Sequence, residues 1–120
     1  MAAVATGSPK QQLNLGRKLT REGKYAEAIA ALDAAIAAEP GMHRAWAARG
    51  FAKLHEGDLD GAEVDCTKAY ELHDSPKFRG SIAYNLGLID KKRGDLEAAK
   101  VHFENSLGMR PRASSCSGNR

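Results

Sequence analysis

The sequence predicts an all-α fold of three helical hairpins stacked in series, on three observations. Apolar residues recur at spacings of three and four, the period of one helical face: Leu15 and Leu19, then Ala28, Ile29, Leu32, Ala35 and Ile36. Glycine and proline punctuate those runs where helices should stop. The whole pattern returns in order. Gly16, Gly23, Ala28, Leu32, Ala35 and Pro40 recur as Gly50, Gly57, Ala62, Cys66, Ala69 and Asp74, and again as Gly87, Gly94, Ala99, Phe103, Ser106 and Pro111, at steps of 34 and then 37 residues.

Taken in order, residues 1–8 read as a disordered tail without the basic start and long apolar stretch of a secretory signal. Ser8 and Pro9 form a helix start, a hydroxyl cap followed by a residue preset for the first turn. The first helix is expected over about 9–22, ended by Gly23, and its partner over about 25–39, ended by Pro40. The second hairpin follows over 43–56 and 59–73, with Asp58 as a cap. Ser75 and Pro76 repeat the start signal, so the fifth helix begins early and runs over about 76–93. The three extra residues amount to almost one turn, which costs little phase. Asp95 caps a last helix over about 96–109, and residues 114–120 read as a second disordered tail. The repeats are thus 9–42, 43–76 and 80–113.

Small residues are needed where two helices cross closely. Gly16 with Ala28, Gly50 with Ala62 and Gly87 with Ala99 supply such pairs within each hairpin, and Ala35, Ala69 and Ser106 play the same part between a second helix and the next repeat. Leu19, Leu32, Cys66, Trp46, Leu86 and Phe103 are the expected core around those crossings. No hairpin can bury its apolar face alone, so neighbours must stack.

A helix-turn-helix unit at a 34-residue period resembles the tetratricopeptide repeat, and the resemblance covers residues 9–113. It implies an α-α superhelix (solenoid) in which first helices line a concave groove and second helices form the convex back. Such arrays usually end in an extra polar-faced helix. Nothing after Pro111 matches one, which leaves self-association through the uncapped last helix as one expectation.

Composition excludes several function classes. A net charge of +3 is too small by itself to imply nucleic acid, and no apolar run approaches a membrane span of roughly 20 residues. Two cysteines, Cys66 and Cys116, make neither a metal pattern nor a disulfide framework. Cys66 reads as a small buried hydrophobe in a reducing, cytoplasmic setting. His43, His55, His73 and His102 lack metal-binding spacing, and no glycine run forms a phosphate cradle. The expectation is therefore no catalytic residues, no metal and no cofactor.

The charge pattern is two-faced. Counting Lys and Arg against Asp and Glu, the first helices carry +3, +2 and +4, and the second helices −3, −3 and −1. Some of these charges sit at helix ends, where they offset the helix dipole with or without a ligand. The resemblance assigns Lys10, Leu13, Asn14, Arg17 and Arg21 to the groove in the first repeat. In the second it assigns Arg44, Phe51, Leu54 and His55, and in the third Ser81, Tyr84, Asn85, Leu88, Lys91 and Lys92. Phe51, Leu54, Tyr84 and Leu88 would form an apolar strip in its middle. Some family members hold a partner's terminal carboxylate between lysines and asparagines. Here Leu13, Arg17, Ala48, Ser81 and Asn85 occupy those places, which argues against that clamp. The expected function is non-catalytic docking of an acidic and apolar segment of another protein in a basic groove, with no membrane partner. Nucleic-acid binding through the same groove and a self-associating scaffold are the alternatives, the first disfavoured because only Phe51 and Tyr84 offer rings for stacking.

Overall fold

The computed structural model describes residues 7–107. Its helices are α1 (Pro9–Arg21), α2 (Tyr25–Ala38), α3 (His43–Glu56), α4 (Leu59–Leu72), α5 (Pro76–Arg93) and α6 (Leu96–Ser106), with no strand among the described residues. The chain is an all-α helical repeat. Residues 1–6 of the expected first tail, the last residues of the expected third repeat (108–113) and the whole second tail (114–120) fall outside the described residues, while Ser8, expected in the first tail, caps α1.

The punctuation works as its chemistry requires. The Ser8 side chain accepts from the Gln11 amide, and the Gln11 side chain accepts from the Ser8 amide, a reciprocal cap that satisfies two free donors. Ser75 accepts from the Phe78 amide, and Asp95 from the Ala98 amide. Gly57 and Gly94 close α3 and α5 in the left-handed conformation, φ 99° and 89°, which a side chain would resist. The helix α6 is shorter than the expected 96–109. The Ser106 hydroxyl donates to the Phe103 carbonyl at 2.8 Å, and Leu107 already takes the C-cap position.

Two compact units make up the chain, Met1–Leu72 and His73–Arg120. The division falls in the stretch where the repeat spacing widens. In the first unit, Gly16 is where Leu32 crosses α1, since an added Cβ would lie 2.5 Å from the Leu32 side chain. Gly50 admits Cys66 and α4 in the same way. Leu13, Leu32, Ala35, Ile36 and Ala45 form a core on which Met42, Trp46 and Ala48 pack, so α3 covers the outer side of α2. In the second unit Gly87 admits the Phe103 ring, and Ile82, Ala83, Ile89 and Ala99 are buried.

Four expected core residues are only half-buried: Leu19, Trp46, Leu86 and Phe103. For Trp46 the reason is polar. Its indole N–H donates to the Pro40 carbonyl at 2.7 Å, and the Arg49 guanidinium lies 5.0 Å from its ring. Cys66 is buried as expected, and burial first, then the neighbouring Asp65 charge, pushes its thiol up to about 12.

An ionic cluster ties α2, α3 and α4 together. Arg49 holds Asp65 with two parallel bonds of 2.8 Å and reaches Asp33 at 2.7 Å, while Lys53 approaches Asp65 at 3.3 Å. Asp65 is 1% exposed, so its charge depends on those partners. The hydrogen bond from Arg49 to Asp65 also raises the Arg49 pKa against the opposing effect of burial.

Candidate functional site

The first helix of each repeat presents one polar stripe at spacings of four, three and four. On α1 it is Lys10, Asn14, Arg17 and Arg21, all exposed. The equivalent positions on α3 are Arg44, Ala48, Phe51 and His55; Arg44 and His55 are exposed and Phe51 is half-buried. Helices α1 and α3 touch each other within the first unit. In the second unit, α5 carries Ser81, Asn85, Leu88 and Lys92 at the same positions. Ser81 and Lys92 are exposed, Asn85 and Leu88 half-buried. Beside that stripe, Lys91 is exposed and Tyr84 is 50% exposed, its ring 5.6 Å from Phe103.

Two expected groove residues are corrected. Leu13 is 6% exposed and Leu54 is 1% exposed, so neither can offer surface to a ligand. The helical period explains both. Leu13 adjoins buried Gln12 and lies three residues before buried Gly16; Leu54 lies four residues after Gly50, on the side that meets α4. The apolar strip in the first unit is therefore Phe51 alone, joined by rings the sequence had not grouped with it. Tyr25, the first residue of α2, stacks on His55 at 5.4 Å and 14°, and Phe51 meets His55 edge-on at 4.4 Å. Only a tertiary contact brings Tyr25 there, and no local spacing signals it.

The electrostatics separate the two kinds of helix in the first unit. Lys10, Arg17, Arg21 and Arg44 make no ion pair among the described residues. Asp33 and Asp65, on α2 and α4, are engaged by Arg49. Unpaired cations on helices that also carry aromatic rings are chemically suited to anionic groups joined to apolar ones. The same residues contain no nucleophile with an adjacent base, and no group of three or more metal-ligating side chains occurs among the described residues. No described helix is long and apolar enough to cross a membrane.

Family models described as tetratricopeptide repeat match residues 13–75 and 80–112. Among curated proteins, photosystem I assembly protein Ycf3 of Rippkaea orientalis is 30% identical over 70 residues, 58% of this chain and 40% of that protein. The matched stretch is thus less than half of that relative's length. Among solved structures, the chain resembles the second TPR of Spaghetti (RPAP3) bound to the HSP90 peptide SRMEEVD. The TM-score is 0.76 and the identity 29%, over 86% of this chain and 93% of that one.

Proposed function

The chain belongs to the tetratricopeptide repeat family, and from that premise we propose that it is a non-catalytic docking module. It holds an extended segment of another protein, rich in acidic and apolar side chains, against the stripe that α1 and α3 present together in the first unit. One observation carries this reading: Lys10, Arg17, Arg21 and Arg44 stand exposed and unpaired on the two touching helices that also present Phe51 and His55. The solved relative supports the class of ligand, since the peptide bound there is itself acidic. The ligand's free C-terminus is not the determinant, because Leu13 and Ala48 offer no donor where a terminal carboxylate would need one.

In this reading the stripe cations steer and orient the segment, acting on association rate and salt dependence. Phe51, with the Tyr25 and His55 rings beside it, supplies the desolvated contact that carries more of the affinity. A panel of labelled acidic–apolar peptides that includes SRMEEVD, titrated by fluorescence anisotropy, tests it. Phe51→Ala should weaken binding by roughly 1–3 kcal/mol without unfolding the chain. Arg17→Glu with Arg44→Glu should slow association and flatten its salt dependence. Glu27→Lys, on the second helix, should leave both unchanged. If Glu27→Lys abolishes binding while the stripe variants retain it, the reading fails. If single-stranded RNA competes as strongly as the peptides, the face is a nucleic-acid surface instead.

A further inference from the structure

We propose that the outer side of α6 is a second docking face, which receives one helix of a partner protein carrying the pattern small–aromatic–x–small–Arg. The proposal comes from a comparison of the chain with itself and does not depend on the reading of the first-helix stripes.

At matching repeat positions, α2 carries Leu32, Asp33, Ala35 and Ile36, and α6 carries Phe103, Glu104, Ser106 and Leu107 at and just beyond its end. The hairpins match in space as well as in sequence, because Leu32 lies over Gly16 as Phe103 lies over Gly87. In the first unit, α3 seals this surface. Leu32 is 0% exposed and Ile36 8%, with Ala45, Trp46 and Ala48 of α3 packed on their core. The same interface is pinned by a charge pair, Arg49 of α3 to Asp33 of α2 at 2.7 Å. On α6 no described helix covers the corresponding surface. Phe103 is half-buried, Leu107 is 73% exposed, and Glu104 has no ion-pair partner among the described residues. So α6 presents an apolar pair and a carboxylate in the arrangement that α2 uses to receive a helix.

The carboxylate specifies the occupant. Glu104 calls for an arginine where α3 has Arg49, beside small and aromatic residues where α3 has Ala45, Trp46 and Ala48. A second copy's α1 does not fit, since it carries Gln11, Gln12, Asn14 and Leu15 at those four positions. The middle repeat has Thr67 in place of the carboxylate, so the charge marks the first and third repeats only.

The probe is a synthetic peptide of residues 42–56, held helical by a staple across positions 47 and 51, titrated into the full chain. One-to-one binding is expected. Glu104→Lys should weaken it roughly fivefold or more, and an Arg49→Glu version of the peptide should recover the loss. Leu107→Asp should also weaken it, while Val64→Asp should not. Circular dichroism of each variant separates lost binding from lost folding. Absence of binding, or equal affinity for the Glu104→Lys and wild-type chains, overturns the proposal. So does concentration-dependent dimerisation of the chain alone that Leu107→Asp abolishes, because a second copy would then be the occupant.

Discussion

Gly50→Ala adds one methyl group at the crossing of α3 and α4, and its effect can be worked from the distances around it. The new Cβ would stand 2.8 Å from Cys66 Sγ, 3.2 Å from the Ala62 carbonyl oxygen and 3.3 Å from Asp65 Cβ. Favourable contact between carbons begins near 3.5 Å, so all three neighbours would have to give. None does so easily. The carbonyl belongs to the backbone of α4, Asp65 is clamped by two bonds from Arg49, and Cys66 is 1% exposed with no open space beside it. Overpacking of this kind costs about 1–3 kcal/mol, against a gain of about 1 kcal/mol from alanine's better helix propensity. The net loss should be up to about 2 kcal/mol, and Gly50→Leu should lose more. For a chain of 120 residues, each kcal/mol lowers the thermal midpoint by several degrees, about 4–8 °C in domains of 60–100 residues. Urea unfolding followed by far-UV circular dichroism measures the loss directly. Gly41→Ala is the control, because nothing lies within 4 Å of a Cβ added there. A Gly50→Ala midpoint above that of the wild type, or a Gly50→Leu midpoint unchanged from it, would refute the crossing geometry.

Three further outcomes follow from the polar interior. Arg49→Ala leaves Asp65 with Lys53 alone and should destabilise by about 3 kcal/mol in the same urea assay; Arg49→Lys should recover little, since it cannot reproduce the bidentate pair. Cys66 gives an alkaline limit. Its thiol rises from an ordinary 9.0 to about 12 in the fold, so the unfolded chain loses that proton first and binds fewer protons between those values. Its contribution to stability is therefore complete below pH 9 and falls by up to about 1.4 kcal/mol per pH unit as pH rises towards 12, a slope that Cys66→Ala should lack when urea midpoints are compared at pH 8 and 10.5. In the second unit, Asp90→Lys or His102→Asp alone should lower the thermal midpoint, whereas the double variant should recover much of the loss.

The hairpins were legible because small residues and stop signals act locally. Gly16, Gly50 and Gly87 announce close crossings wherever they fall on a helical face, and Ser8, Ser75 and Asp95 announce starts through bonds only three residues long. The exposed cations of the first helices were legible for the same reason, since one helical period places Lys10, Arg17 and Arg21 together. Leu13 and Leu54 went wrong at finer resolution. Treating a whole helix as groove-lining ignores that each first helix buries one side, and the glycine four residues before Leu54 marks which side that is. The Arg49 cluster was not legible. Its two carboxylates lie 16 residues away in either direction, and an arginine or aspartate on a helix reads locally as a solvated charge. Only the packed arrangement of α2, α3 and α4 makes Asp65 a buried anion that requires a partner.

One position pair shows how the repeat tolerates such variety. The residues at matching places on the first and second helix of each hairpin are Leu19 and Ala31, then Lys53 and Asp65, then Asp90 and His102. The second pair is a cation on the first helix facing an anion on the second, 3.3 Å apart. In the third the carboxylate is on the first helix instead, with Asp90 Oδ2 lying 2.6 Å from His102 Nδ1. The backbone spacing is therefore indifferent to sign and even to polarity, provided the two groups satisfy each other, because an unmatched polar group there would lose its solvation without compensation. Matching polarity within each hairpin also changes what reaches the surface. Arg49 and Lys53 are balanced by Asp33 and Asp65 within one cluster, so together they add little to the field outside. The unpaired cations of α1 and α3 then act as the uncompensated charge of the first unit's stripe, and so the net charge of +3 understates how basic that face is.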